Sequence, residues 1–214
     1  MNIKIVYQGA SAEIVEKKSR FIADIFSVGT EEEALQILEK VKKQYWDARH
    51  HCWAYVIGDE QVQERCSDDG EPSGTAGKPI LEVIRGNGIH NILVVVTRYF
   101  GGTLLGTGGL VRAYTQASQE GIAASTIITK TQGYKLKIET DYTGLGKIQY
   151  LLGQRGIQIV DSVYQDNVEI FIYISKEEEP FIIREITEAT NGQAGIERVE
   201  ACSFASVNGK MLKI

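Results

Sequence analysis

Residues 92–96 read Ile-Leu-Val-Val-Val, five apolar positions with no polar one between them. A strand with one face in water alternates, so this run predicts a strand buried on both faces. It ends at Thr97 and Arg98, and Tyr99 and Phe100 follow, then glycines at 101, 102, 106, 108 and 109. Beyond them Leu110, Val111, Ala113, Tyr114, Ala117, Gly121 and Ile122 recur at helical spacing, which predicts a helix over 107–121. The centre of the chain is therefore strand, glycine loop, helix.

Upstream, residues 11–18 and 20–27 alternate as paired strands would. Thr30 is placed to cap a helix, with Glu33 completing a capping box and Glu31 and Glu32 at the positive helix end. Ala34, Leu35, Leu38 and Val41 make that helix's apolar stripe. Residues 50–57 and 61–66 predict a hairpin around Gly58-Asp59-Glu60. After a loop of turn-forming residues, a helix is expected over about 78–86, stopped by Gly86-Asn87-Gly88. These elements predict an α/β layer with a mixed sheet and helices packed on one side of it.

The second part of the chain reads as strands at 134–142, 157–164, 168–174 and 195–205, with helices at 144–155 and 178–191. That order is β-α-β-β-α-β, the ferredoxin-like pattern. Thr131-Gln132-Gly133 is the expected linker, so the predicted domains are 1–131 and 134–214. The overall fold class is α/β (α+β) in two domains.

A net charge of −5 argues against a general nucleic-acid binder, whose surface would be basic. The balance is uneven, however. Residues 76–119 hold Lys78, Arg85, Arg98 and Arg112 against Glu82 alone, so a local basic patch is compatible with an acidic protein. Three widely spaced cysteines do not suggest a disulfide framework. No apolar run reaches membrane-spanning length, and the first residues lack the apolar segment of a signal peptide. The expected location is cytoplasmic, with no membrane partner.

Candidate chemistry gathers in three places. The glycine loop would expose backbone N–H groups at the start of a helix, with Arg98 and Arg112 on its flanks and Lys78 nearby, as an anion site requires. It would equally serve as a tight strand-to-helix connection whose glycines only permit packing. It matches neither GxGxxG nor a Walker loop. In the turn-rich segment 66–80, Asp68, Asp69 and Glu71 could bind a cation or act as acid and base. They could also cap backbone N–H groups and pair with Arg98, and this structural role is the expected one. Finally, His50, His51, Cys52 and Cys66 invite a metal, but no ligand spacing accompanies them, and neighbours on a strand face opposite ways. No metal and no cofactor is expected. Ser67, Ser73 and Thr75 have no identifiable base, and neither GxSxG nor HExxH occurs, so no reaction can be named.

The run RYFGGTLLG, Arg98 to Gly106, resembles the signature of the YigZ/IMPACT family, and DDGEPSGTAGKPI, Asp68 to Ile80, is similar to that family's second fixed segment. Beyond Gly133 the chain resembles the extra C-terminal domain of bacterial members. The resemblance implies a first domain like the superfold shared by a ribosomal protein and the fourth domain of elongation factor G, and a second like the fifth domain of that factor. Eukaryotic IMPACT proteins act as translation regulators in a starvation-response kinase pathway. The resemblance thus implies a non-catalytic regulatory protein that engages RNA or a ribosome-associated partner through Arg98, Tyr99, Gly101, Gly102, Gly106, Gly108, Gly109, Arg112 and Lys78. Two alternatives stay open. One is an enzyme on a phosphorylated small molecule or nucleotide, with Arg98 and Arg112 on the phosphate. The other is a protein-interaction module in a stress response, using the acidic second domain.

Overall fold

The computed structural model describes residues 2–214. It divides into two compact units, Ile3–Ile128 and Thr129–Ile214, the latter taking in Asn2 as well. In chain order the elements are β1 (Asn2–Gln8), β2 (Ser11–Glu16), β3 (Ser19–Ser27), α1 (Glu31–Gln44), β4 (His50–Ile57), β5 (Gln63–Ser67), α2 (Gly77–Asn87), β6 (Ile89–His90), β7 (Ile92–Tyr99), α3 (Gly106–Ala124) and β8 (Thr126–Thr140). Then follow α4 (Tyr142–Gln154), β9 (Ile159–Tyr164), β10 (Val168–Ser175), α5 (Glu179–Ala189), β11 (Gly195–Val207) and β12 (Lys210–Lys213).

The first unit is built on a five-stranded sheet, ordered β2-β3-β7-β4-β5 and antiparallel at every pairing. A short parallel pairing joins β1 to β6. The apolar run of β7 lies at the centre of the sheet, and its two pleats face two cores. Val94 and Val96 pack with Ile80 and Ile84 of α2 and with Ala113, Tyr114 and Ala117 of α3. Leu93 and Val95 pack with Ala34, Leu38 and Val41 of α1. Helices therefore cover both sides of this sheet, where one covered side was expected. An apolar run on both pleats needs two covers.

Local signals explain most element ends. Thr30 accepts the Glu33 N–H at 3.2 Å to open α1, while the Glu33 carboxylate reaches back to the N–H of Gly29 at 2.7 Å. Gly88 closes α2 in the left-handed region. The helix α3 starts and ends beyond the expected 107–121, which places Gly108 and Gly109 inside its first turn.

The second unit orders its strands β9-β10-β8-β11-β12, all antiparallel, with α4 and α5 contributing Ile148, Leu152, Ile182 and Ile186 to one core. This is the ferredoxin-like arrangement with one added edge strand, β12. Residues 131–133, the expected linker, are strand here, inside β8. Gly133 is required there by proximity: a Cβ on it would lie 1.9 Å from the Ile174 carbonyl oxygen across the sheet. No helix among the described residues is long and apolar enough to cross a membrane.

Candidate functional site

The strand register sets His50 of β4 and Phe21 of β3 opposite Arg98 of β7, on the face that α2 and α3 cover. Arg98 is consequently buried and not an exposed flank of the glycine loop, as the sequence suggested; only 6% of it is accessible. Its Nη1 donates to Glu71 Oε1 at 2.7 Å, and the Tyr114 hydroxyl donates to the same oxygen at 2.8 Å. Cys52 Sγ lies 3.3 Å from the Tyr114 oxygen and 2.9 Å from the Asp68 carbonyl. Phe21 and Phe100 stand over the guanidinium, their centroids 5.4 and 5.7 Å from its carbon. Burial, reinforced by the nearby acidic groups, pushes both the Cys52 thiol and the Tyr114 phenol up, so both stay protonated at neutral pH.

The acidic segment serves the backbone. Asp68 accepts from the N–H groups of Gly74 at 2.8 Å, Ala76 at 3.0 Å and Gly77 at 2.8 Å, so it caps α2 from a distance along the chain. Asp69 accepts from the His51 N–H at 2.6 Å, and Glu71 is held by Arg98. His50 Nδ1 lies 2.9 Å from the Asp69 carbonyl and His51 Nε2 3.2 Å from that of Tyr45, so the adjacent imidazoles are engaged separately. Burial raises the Asp68 pKa, but its three donors outweigh burial and hold the carboxyl below its ordinary value. Such a group contributes stability that is present above the unfolded pKa, about 3.9, and is lost as pH falls through the lower folded value. Asp68→Asn, which turns an N–H donor toward another donor, is therefore expected to cost about 1–3 kcal/mol at pH 7. Urea unfolding should show that difference shrinking below pH 4, as wild-type Asp68 itself protonates; a deficit independent of pH would refute the assignment.

The glycines divide by role. A Cβ on Gly101 would lie 2.0 Å from the Lys18 carbonyl carbon, so this residue permits two backbones to touch. Gly102 and Gly106 take positive φ, 83° and 70°, and turn the chain into α3. Gly108 and Gly109 lie in the first turn, where N–H groups have no intrahelical acceptor.

That first turn differs from the others. The helix α1 begins with Thr30 and three glutamates, α2 has Asp68, α4 has the Asp141 cap, and α5 has Glu179. Among the described residues, α3 has neither a side-chain cap nor an acid in its first turn. Instead Arg112 leans back along the helix, its Nη1 3.7 Å from where a Cβ of Gly108 would stand. Helical side chains lean toward the N-terminus, which is how a residue four positions on reaches the helix start.

The start of α3 opens on a cavity of about 450 Å³. Gly106, Thr107, Arg98, Glu71, Arg49 and His50 contribute polar groups to its lining, and Phe100, Leu104, Leu105, Leu110 and Pro72 contribute apolar ones. The other residues singled out in the sequence lie elsewhere. The Tyr99 hydroxyl donates to Asp47 at 2.8 Å, on the opposite pleat from Arg98. Lys78 lines a separate cleft of about 590 Å³ between α2 and α3, with Val111 and Thr115. Arg49, Phe100 and Leu104 were missed as site residues. The sequence signal for the last two was their place inside RYFGGTLLG, whereas Arg49 had none.

Residues 17–122 match the Impact N-terminal domain, and residues 138–193 match a domain of unknown function, DUF1949. A Bacillus subtilis IMPACT family member, YvyE, is 41% identical over 195 residues, covering 91% of this chain and 90% of the relative. This chain belongs to the IMPACT family. The Escherichia coli family member YigZ is 44% identical over 160 residues, covering 73% of this chain and 78% of its own. A crystal structure of a hypothetical protein, 35% identical, superposes with a TM-score of 0.60 over 93% of this chain and 98% of that one. The IMPACT N-terminal match takes in the whole Arg98–Glu71–Tyr114–Cys52 chain and every residue bordering the cavity. The cavity thus lies wholly within the segment that carries the IMPACT match.

Proposed function

We propose that this IMPACT family protein is a non-catalytic binding protein, translation-related in its role, that holds RNA on the surface where α3 begins. The observation that carries the reading is the Arg112 guanidinium beside an uncapped, acid-free helix start. A cation at the positive end of a helix costs about 0.3–1 kcal/mol; in α2, where Lys78 lies in the first turn, the Asp68 carboxylate offsets it, and α3 has no such acid in its first turn. A phosphate bound there would meet free N–H groups and a full charge together, which turns the cost into affinity. Phe100, 54% exposed, offers an aromatic face on which a base could stack. Binding is favoured over catalysis because the acid, phenol and thiol of this region are engaged with one another and with Arg98. The link to translation rests on family membership and on the resemblance of both domains to translation-factor modules.

Fluorescence anisotropy with a labelled single-stranded RNA across a salt series tests the proposal. Affinity should fall steeply with salt, since each neutralised phosphate releases counterions. Arg112→Glu should weaken binding about tenfold or more for any sequence and flatten the salt slope by about one unit. The same substitution should raise the melting temperature, because it restores the favourable charge at the helix start. Unchanged RNA affinity in a folded Arg112→Glu protein would sink the reading.

A further inference from the structure

The cavity below the α3 surface has a composition that RNA binding does not call for. Its lining is largely apolar, with Phe100, Leu104, Leu105, Leu110 and Pro72 contributing. A few polar groups join them, which is the balance of a small-molecule site and not of an open nucleic-acid groove. Arg98 borders this space, and its Nε is a buried donor with no acceptor among the described residues. Nη1 is committed to Glu71, while Nη2 reaches Ser19 Oγ only at 3.5 Å. A buried N–H left unpaired is costly and calls for an explanation. Phe21, fully buried, and the half-exposed Phe100 both lie against the guanidinium, and Phe100 also lines the cavity, so movement of Phe100 would open Arg98 further to it.

The charge balance in the cavity is positive. Glu71 is neutralised by Arg98, and the exposed Arg49 has no acidic partner among the described residues. Gly106 and Thr107 add the positive end of a 19-residue helix. We propose that this cavity binds a small organic oxyanion, a carboxylate or phosphate monoester on a short aliphatic or aromatic body. The head group sits between Arg49 and the first turn of α3, within reach of Arg98 when Phe100 moves, and the body lies against the leucines. This site shares the start of α3 and Phe100 with the RNA reading, but Arg112 and Lys78, on which that reading also rests, do not border it.

Isothermal titration calorimetry of the full chain tests it with 4-phenylbutanoate, phenyl phosphate and the neutral 4-phenylbutanol. At least one anion should bind at one equivalent, and the alcohol at least tenfold more weakly. Binding of only the phosphate or only the carboxylate supports the site and names its head group. Arg49→Ala should lower the anion's affinity about tenfold. Leu104→Glu, at a position 83% exposed and therefore compatible with folding, should abolish binding without changing the melting temperature. The proposal is overturned if neither anion binds at millimolar concentration, if the alcohol binds as tightly, or if both variants bind like wild type. RNA titrations on the same samples keep the two readings apart: Arg112→Ala, which adds no negative charge at the helix start, should weaken RNA binding and still take up the anion.

Discussion

Arg98→Met is expected to lower the free energy of unfolding by about 3–5 kcal/mol, because it strands the Glu71 carboxylate in the interior. Arg98 and Glu71 are almost inaccessible, with side-chain exposures of 7% and 4%, and Tyr114 approaches the same carboxylate oxygen. Glu71→Leu should be costly for the converse reason, since it leaves a buried guanidinium beside Phe21 and Phe100 with no counter-charge. The double variant Arg98→Met/Glu71→Leu should recover most of the loss, because apolar groups of similar volume replace a buried pair at little net cost. Urea unfolding of the four proteins gives the coupling energy as a double-mutant cycle. Single-variant losses below about 1 kcal/mol would mean that water reaches the pair and that it is worth no more than a surface ion pair. The cycle also bears on function. A binding defect in an Arg98 variant would report damage to the core, whereas Arg112 and Arg49 are exposed and report binding directly.

Gly101→Ala and Gly108→Ala should move stability in opposite directions, although both glycines belong to the same loop-and-helix segment. At Gly101 the added carbon would lie 2.0 Å from the carbonyl carbon of Lys18 and 2.3 Å from the backbone nitrogen of Ser19. Backbone cannot rotate aside as a side chain can, so the connection must spread, at a cost of about 3 kcal/mol or more. At Gly108 the nearest neighbour is the flexible end of Arg112, and alanine is the better helix former by about 0.5–1 kcal/mol. Calorimetric melting of both variants is the check. If Gly108→Ala also weakens RNA binding, close approach of a phosphate to the first turn is the reason for that glycine. If Gly101→Ala melts like wild type, the contact with Lys18 is not a constraint.

Much of the architecture was legible without coordinates, and for local reasons. The apolar run of β7, the Thr30–Glu33 cap and the β-α-β-β-α-β order of the second unit are encoded within a turn or a strand of themselves. Hydrophobic period and capping chemistry act over a few residues, so a one-dimensional reading reaches them. The same reading allowed that Asp68, Asp69 and Glu71 could cap backbone N–H groups and pair with Arg98, without telling which carboxylate does which.

Tertiary structure decided which side chains meet. Glu71 joins Arg98 and Tyr114 across 27 and 43 residues of chain, and no periodicity links those positions. The strand pleat sends Arg98 inward to Glu71 and the neighbouring Tyr99 outward to Asp47, which separates two residues that one motif had grouped. Lys78 faces a different cleft from Arg98 because α2 turns it toward Val111 of α3. Gly101 and Gly133 looked like loop and linker residues, yet each exists to admit a backbone from a distant part of the sequence. A glycine's conformational freedom can be read from its identity, but the space it leaves is defined only by the atoms packed against it.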